Sequence, residues 1–141
     1  MSNKVFVGYD TREDIAYQVC EHSIWQHNKG TEVIPLKQKE LRDKMLYWRG
    51  EDKLASTEFT FTRFLIPHLM NYEGWALFID SDIVFLEDVD NLFALADDKY
   101  AVMCVQHDYN PKPGTKMDGQ IQTQYPRKNW SSVVLWNCGH P

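Results

Sequence analysis

Asp80 and Asp82 are the residues of this sequence whose type and spacing most clearly indicate chemistry. They follow the apolar run 76–79 directly, and a second apolar run, 83–86, begins immediately after them. The first run is short and is preceded by Gly74, which is typical of a buried strand. An unpaired carboxylate inside a strand would carry a large desolvation cost. We therefore expect both aspartates where the strand emerges at its carboxyl edge.

The carboxyl edge is where open α/β sheets bind their ligands. Carboxylate oxygens held as closely as those of Asp80 and Asp82 suit a hard divalent cation that also holds a phosphate. The alternative is that both aspartates are turn residues. We favour the cation, because one buried strand that delivers two carboxylates is costly without one.

The first 36 residues predict the unit that would position these groups. Residues 5–10 are apolar and β-prone, a helical pattern runs from residue 15 to about residue 27, and residues 32–36 again read as a strand. Ile15 and Val19 recur at helical spacing. A strand, a helix and a strand at this separation form a βαβ unit, whose strands are parallel.

The rest of the chain continues the α/β pattern. It predicts helices at residues 54–70 and 91–95. It predicts strands at residues 75–79, 100–105 and 130–138. We therefore predict an α/β fold with a Rossmann-like, mostly parallel sheet flanked by helices, as one domain over residues 1–141.

Two connections lack clear periodicity. Residues 37–52 are charged and predict a solvated connection with a short helix around 39–45; the alternative is a lid with Tyr47 and Trp48 as its apolar contacts. Residues 109–129 form a long polar loop, and loops of this length inside a domain are usually functional or mobile.

Composition excludes several classes of protein. The chain is 43% hydrophobic and 25% charged, which is typical of a globular domain, and its net charge of −5 argues against a general nucleic-acid surface. Cys20, Cys104 and Cys138 contain no CxxC pair, so they suggest neither a zinc site nor a disulfide framework, and we expect Cys104 in the core. We see no signal peptide or apolar run of about 20 residues. We expect a cytoplasmic protein without a transmembrane segment, and peripheral membrane contact stays open.

Four pieces of the sequence, in order, resemble nucleotide-sugar glycosyltransferases of the type A fold. They are the strand ending Gly8-Tyr9-Asp10, the helix with Thr60 and Arg63, Asp80-Ser81-Asp82, and the late strand 129–137. The chain is most similar to the glycogenin and bacterial galactosyltransferase-like group, including small bacterial, phage and viral members, and the resemblance covers nearly all of it. Asp-x-Asp alone is a weak motif, but after a buried strand and a helix ending Arg-Phe-Leu-Ile-Pro it is fairly specific.

The resemblance implies a role for each candidate site residue. Asp80 and Asp82 would hold Mn²⁺ or Mg²⁺ on the diphosphate of a sugar nucleotide. The donor would contact Val7, Gly8, Tyr9, Asp10, Thr60, Arg63 and Ser81, with the first four bordering the base and ribose. The donor sugar and acceptor would face Gln106, His107, Asp108, Trp130, Ser131 and Ser132.

Several of these roles have physical reasons and also simpler alternatives. Gly8 allows close approach of the backbone to a ligand, and the Tyr9 ring can stack on a base. Asp10 can accept a hydrogen bond from uracil or ribose, or it can simply cap the following helix. Arg63 can neutralise the leaving group beside the metal as a catalytic residue, or it can form a structural bridge with Glu58 or Asp82.

The loop residues carry similar alternatives. Asp108 is the candidate general base if the reaction inverts configuration, and otherwise a turn residue. His107 can be an ordinary surface residue. Trp130 and Trp136 suit either the core or an acceptor platform.

One departure from the family pattern concerns the metal. Such enzymes usually exceed 200 residues, and a third metal ligand, often a histidine, comes from their C-terminal part. We expect this chain to lack that segment, and its local candidates, His107, Asp108 and His140, do not match the family position.

The sequence thus predicts a metal-dependent transfer of a hexose from a nucleoside-diphosphate sugar, with uridine the expected base, to a glycan, lipid-linked or protein acceptor. The alternative is a binding module without catalysis. A nucleotidyltransferase ranks low, because residues 9–14 are acidic and lack a glycine-rich phosphate loop.

Overall fold

The computed structural model describes residues 2–50, 55–105, 114–115, 121–122 and 129–141, and its centre is a five-stranded sheet. In chain order the strands are β1 (Lys4–Gly8), β2 (Glu32–Leu36), β3 (Trp75–Ile79), β4 (Val102–Cys104), β5 (Gly114–Thr115), β6 (Ile121–Gln122) and β7 (Val133–Asn137). The central sheet has the order β2-β1-β3-β7-β4, and β5 pairs with β6.

Short helices connect these strands. They are α1 (Asp14–His27), α2 (Gln38–Asp43), α3 (Ile66–Leu69) and α4 (Asp90–Phe93), with 3₁₀ turns at Thr11–Glu13, Thr62–Leu65 and Asn129–Ser132. Within the described residues, no helix has the length and apolar character needed to cross a membrane.

The strand directions determine which strand ends meet at each edge of the sheet. β1 pairs in parallel with both β2 and β3, whereas β7 is antiparallel to β3 and to β4. Four of the five strands therefore run in one direction, and the predicted α/β fold is confirmed. The amino end of the reversed strand β7 lies at the same edge as the carboxyl ends of the others.

Two apolar clusters pack on opposite faces of the sheet, because alternate residues of a strand point to opposite sides. The cluster on the α1 side includes Val5, Val7, Cys20, Ile24, Leu77 and Ile79. The cluster on the α3 side includes Phe6, Phe59, Ile66, Phe78, Ala76 and Cys138. The interiors of β1 and β3 are thus fully apolar, and their first polar side chains come at the strand ends.

The helix α1 ends at His27 as predicted, but it packs through a different stripe from the one that the sequence suggested. Tyr17, Cys20 and Ile24 are buried, whereas Ile15 and Val19 are exposed. Both stripes have helical spacing, and only the packed structure decides between them.

The predicted helix over residues 54–70 is wrong. A turn at residues 57–60 leads into the 3₁₀ turn and then into α3, which has only four residues. The Thr60 hydroxyl donates to the carbonyl of Thr57 at 3.0 Å, a local bond that competes with helix formation. Pro67 lies in the first turn of α3, where its missing N–H leaves no helical bond unmade.

The predicted strand at residues 100–105 is confirmed as β4 at Val102–Cys104, but its predicted burial is wrong. β4 has three residues and is the last strand in the sheet order, and Cys104 is exposed instead of lying in the core. The predicted short helix at 39–45 is α2, at residues 38–43. Of the two aromatics considered for a lid, Tyr47 is buried and Trp48 is 83% exposed.

We predict that Gly8→Ala destabilises the fold by about 1–3 kcal/mol, because overpacking a tight core position has costs of this size. An added Cβ would lie 2.4 Å from the Phe59 ring. Urea unfolding monitored by circular dichroism measures the change. Gly50→Ala is the control, since no atom lies within 4 Å of its added Cβ. A loss in Gly8→Ala no larger than in the control would contradict the packing argument.

Candidate functional site

Polar residues from four strands meet at the carboxyl edge of the parallel strands. Tyr9, Lys37 and Asp80 directly follow β1, β2 and β3. Ser131 and Ser132 directly precede the reversed strand β7, and the Asp80 N–H donates to the Ser132 carbonyl at 3.0 Å. This edge gathers residues that are far apart in sequence, as binding sites of open α/β sheets do.

Asp80 carries an unsatisfied, buried carboxylate oxygen. Its Oδ1 atom is inaccessible and has no hydrogen-bond partner among the described residues. Burial raises the pKa of Asp80 to about 7; Arg63 acts against this rise, and the negative charges of Asp82 and Glu13 add to it. Oδ1 has an ion-pair partner, Arg63 Nη2 at 3.5 Å, but no hydrogen bond from the described residues. A buried oxygen without a hydrogen bond is costly, and it commonly marks a position that a ligand or ion completes.

Asp82 differs from Asp80 in its surroundings. Its side chain is exposed, three residues beyond the end of β3. Burial raises the pKa of the Cys20 thiol, and the charge of Asp82 adds to that rise. The hydroxyl of Ser81 between them is buried and has no hydrogen-bond partner in the described part of the chain. One buried and one exposed carboxylate suit an ion that the protein holds on one side and a ligand approaches from the other.

Arg63 fixes Asp80 from within the protein. It is 8% exposed; its Nη2 lies 3.5 Å from Asp80 Oδ1, and its Nη1 donates to the Ser131 carbonyl at 2.6 Å. Its guanidinium also lies 4.7 Å from the centre of the Phe78 ring. Burial lowers the pKa of Arg63, and Asp80 opposes that shift. Arg63 is therefore a structural bridge to Asp80, and not to Glu58 or Asp82.

Asp10 follows the end of β1, where it is buried, caps the next turn and joins Arg12 to the segment at Glu58; we call this set of bonds the Asp10 clasp. It is 1% exposed and accepts bonds from the backbone N–H, Nε and Nη2 of Arg12, at 3.0, 3.0 and 2.7 Å, and from the Glu58 N–H at 3.2 Å. Burial alone would raise the pKa of Asp10, but the bonds from Arg12 and Glu58 outweigh it and hold the pKa at about 2. The capping role is confirmed; its contact with a base or ribose stays a prediction.

The segment 56–60 is tied to the ends of two strands. The Thr11 N–H and hydroxyl donate to the Glu58 carboxylate at 2.9–3.0 Å, and the Gln38 amide donates to the Glu58 carbonyl at 3.2 Å. Phe59 packs directly on the backbone of Gly8. Thr60 bonds within this segment, so its predicted contact with the donor also stays a prediction.

Tyr9 presents an aromatic ring at the same edge. Its hydroxyl donates to Asp14 at 2.5 Å, and its ring packs edge-to-face on Tyr17 with 5.5 Å between centroids. The hydrogen bond with Asp14 raises the pKa of Tyr9 and lowers that of Asp14. The Lys37 ammonium lies 5.1 Å from the centre of the Tyr9 ring. Sequence reasoning missed Lys37; its signal was its place one residue after β2, matching Tyr9 after β1.

The structure gives fewer contacts for the remaining predicted site residues. The Val7 side chain is buried in the core, so only its backbone can border a ligand. His140 follows the carboxyl end of β7, at the opposite edge of the sheet from Asp80. Four predictions lie outside the described residues, namely Gln106, His107, Asp108 and the side chain of Trp130.

The order and directions of the strands are those of the type A fold of glycosyltransferases. The chain belongs to Glycosyl transferase family 8, whose model matches residues 9–136. It is similar to Protein CDI of Arabidopsis thaliana, with 61% identity over 139 residues that cover 98% of this chain and 54% of that protein.

Two solved structures share the fold. The bifunctional glycosyltransferase WbbM, in apo form, matches with a TM-score of 0.63 and 17% identity, over 99% of this chain and 32% of that one. The glycosyltransferase GlyE of Streptococcus pneumoniae TIGR4 matches with a TM-score of 0.60 and 20% identity, over 98% and 34%. The chain thus spans about half the length of its curated relative and about a third of these solved chains.

We predict that Asp10→Asn lowers the free energy of unfolding at pH 7 by about 1–2 kcal/mol, allowing for solvent screening around the half-exposed Arg12. The folded pKa lies below the unfolded one, so this contribution is present above about pH 4 and is lost as pH falls toward 2. Urea unfolding between pH 7 and 3 measures it. Asp43→Asn, at an exposed surface pair, is the control. A difference from wild type that does not shrink at acid pH would contradict the charge argument.

We predict that Arg63→Met destabilises the protein by about 3 kcal/mol, because it leaves the partly buried Asp80 without its cation. Asp80→Asn in the same chain should restore part of that loss. A double-mutant cycle by chemical unfolding measures the coupling. Additive losses in the double variant would show that Arg63 acts by packing alone.

Proposed function

We propose that this chain binds the donor of a glycosyltransferase that transfers a hexose from a nucleoside-diphosphate sugar, with uridine as its base. The acceptor would be a glycan, a lipid-linked sugar or a protein. Membership of family 8 supports the reaction class. The observation that carries the proposal is the buried Asp80 oxygen without a hydrogen-bond partner, two residues from the exposed Asp82, at the ligand-binding edge of the sheet.

A divalent metal is generally used by this family. Asp80 and Asp82 would hold it, as Mn²⁺ or Mg²⁺, and their oxygen donors fit a hard cation. When bound, the ion would neutralise the charge that develops on the leaving diphosphate. The described residues contain no group of three His, Cys, Asp or Glu side chains suited to a metal. The proposal therefore takes the remaining ligands from the diphosphate and from outside the described residues.

Arg63 would act through Asp80. Its guanidinium is buried among Phe78, Asp80 and the Ser131 carbonyl, so it orients the carboxylate and the start of β7 together. We therefore assign it as a positioning residue for the metal site. The direct contact of Arg63 with phosphate or sugar that the sequence suggested stays a prediction.

The nucleoside would lie beside Tyr9 and Gly8. The ring offers a stacking surface. Phe59 fills the space where a Gly8 side chain would lie, so Gly8 would border the nucleoside through its backbone alone. Asp10, fully engaged with Arg12 and Glu58, would hold this loop in place and leave base recognition to its neighbours.

The acceptor side of the proposal depends on residues after β4 and before β7. Ser131 and Ser132 lie at the same edge as Asp80, which supports their predicted place near the sugar. Gln106, His107, Trp130 and the candidate general base Asp108 keep their proposed roles from the sequence. The cytoplasmic compartment likewise stays a proposal.

A binding module without catalysis is the second candidate. The observation that favours it is that, among the described residues, no group of three His, Cys, Asp or Glu side chains is placed to hold a metal. Incubation with UDP-hexoses and Mn²⁺, followed by assay of released UDP, separates the two. Release above a protein-free control supports the transferase, and tight binding without release supports the module.

We predict that Asp80→Asn and Asp82→Asn each weaken Mn²⁺-dependent binding of UDP by about tenfold or more, since each removes a charged metal ligand. Isothermal titration with and without Mn²⁺ measures the effect. The control is Glu87→Gln, because Gln can keep the bond that Glu87 accepts from Asn91. UDP affinity of wild type that is the same with and without Mn²⁺ would contradict the proposed metal site.

A further inference from the structure

Lys37 is a second side chain at the proposed nucleoside site, and the inference about it rests on the proposed function. The parallel register pairs Gly8 with Leu36, so the next residues, Tyr9 and Lys37, leave the sheet side by side. The Lys37 Nζ atom lies 5.1 Å from the centre of the Tyr9 ring. The ammonium therefore occupies the surroundings of the ring on which a base would stack.

The backbone of Lys37 is held firmly. Its N–H donates to the Pro35 carbonyl at 3.1 Å, and its carbonyl accepts the first bond of α2, from Leu41, at 3.0 Å. The next residue, Gln38, donates to Glu58 in the segment that also clasps the end of β1. Only the flexible side chain of Lys37 is left to move when a ligand arrives.

The ammonium of Lys37 has unused donors. Among the described residues it makes the cation–π contact with Tyr9 and no hydrogen bond or ion pair. An ammonium has three donors and no acceptor, and a cation–π contact at a partly exposed site is weak. The charge of Lys37 also interacts with the Asp14 carboxylate, which accepts the bond from the Tyr9 hydroxyl. A base that stacks on Tyr9 displaces the ammonium from the ring and leaves its donors beside the edge of that base.

We propose that Lys37 selects the base of the donor by donating a hydrogen bond to a carbonyl oxygen of the base stacked on Tyr9. Uracil carries a carbonyl oxygen at C4, where cytosine carries an amino group. An ammonium, which only donates, can hydrogen-bond to the carbonyl oxygen of uracil. It cannot hydrogen-bond to the amino group of cytosine, which is itself a donor. Sites that hydrogen-bond a ligand group discriminate strongly against an analogue that lacks it.

UDP and CDP, titrated separately in the presence of Mn²⁺, test this assignment in the wild-type protein and in Lys37→Met. We expect wild type to prefer UDP at least tenfold. In Lys37→Met we expect UDP affinity to fall about tenfold with CDP nearly unchanged, so that the preference approaches one. Lys39→Met is the matched control, because Lys39 pairs with Asp43 on the exposed surface, and it should keep the wild-type ratio.

The ratio of the two affinities decides between base selection and other roles of Lys37. Equal losses for UDP and CDP would show that Lys37 attracts only the diphosphate and would overturn the proposal. Equal gains would show that it merely covers the ring, with the same consequence. Wild-type protein that binds neither nucleotide would overturn the proposed function itself, and circular dichroism confirms that each variant is folded.

Discussion

The ion pair between Arg63 and Asp80 is the interaction on which the candidate site depends. It joins the 3₁₀ turn before α3 to the end of β3, and the same guanidinium holds the start of β7 through Ser131. The pair is mostly buried, and desolvation raises the pKa of Asp80 despite the neighbouring cation. The attraction within such a pair is largely offset by the cost of removing both charged groups from water, so the pair adds little net stability. It is more readily understood as an arrangement that keeps a carboxylate poised for a further positive charge.

A second clasp organises the other side of the site. Asp10 and Arg12 bond to each other and to the segment around Glu58, and Glu58 in turn holds Thr11. Both clasps connect the irregular stretch 56–65 to strand ends at the same edge. The stretch thus serves as the scaffold of the proposed nucleoside and metal positions, and a continuous helix there would not present the same groups.

The sequence predicted the parts of the structure that depend on local pattern. The short apolar run before Asp80 marks a strand whose polar residues must emerge at its end, and this placement is confirmed by β3. The βαβ unit followed from alternating strand and helix patterns in the same way. The capping role of Asp10 was one of two alternatives, and the residue type and its position before a helical segment were enough to suggest it.

The sequence pattern could not predict the features that depend on which strands pair in the folded protein. The reversal of β7 and the edge position of β4 depend on which strands become neighbours, and the apolar run at Cys104 does not reveal this. The threonine-rich stretch before α3 looked helical because its apolar spacing fits a helix, but its hydroxyls bond locally. Lys37 meets Tyr9 only because β1 and β2 are parallel and in register. The partner of Arg63 was missed for the same kind of reason, since Asp80 approaches it across the fold.

We propose that a divalent cation and a nucleoside diphosphate bind together at the carboxyl edge of the sheet. Paramagnetic broadening of amide NMR signals by Mn²⁺, with UDP present, tests it most directly, because a five-residue strand separates the two edges by about 13 Å. As Mn²⁺ is added, we expect the signals of residues 79–83 and 131–132 to broaden first and those of Lys4, Glu32 and Trp75 at the opposite edge to broaden least. Sharp signals at residues 79–83, or equal broadening at both edges, would contradict it.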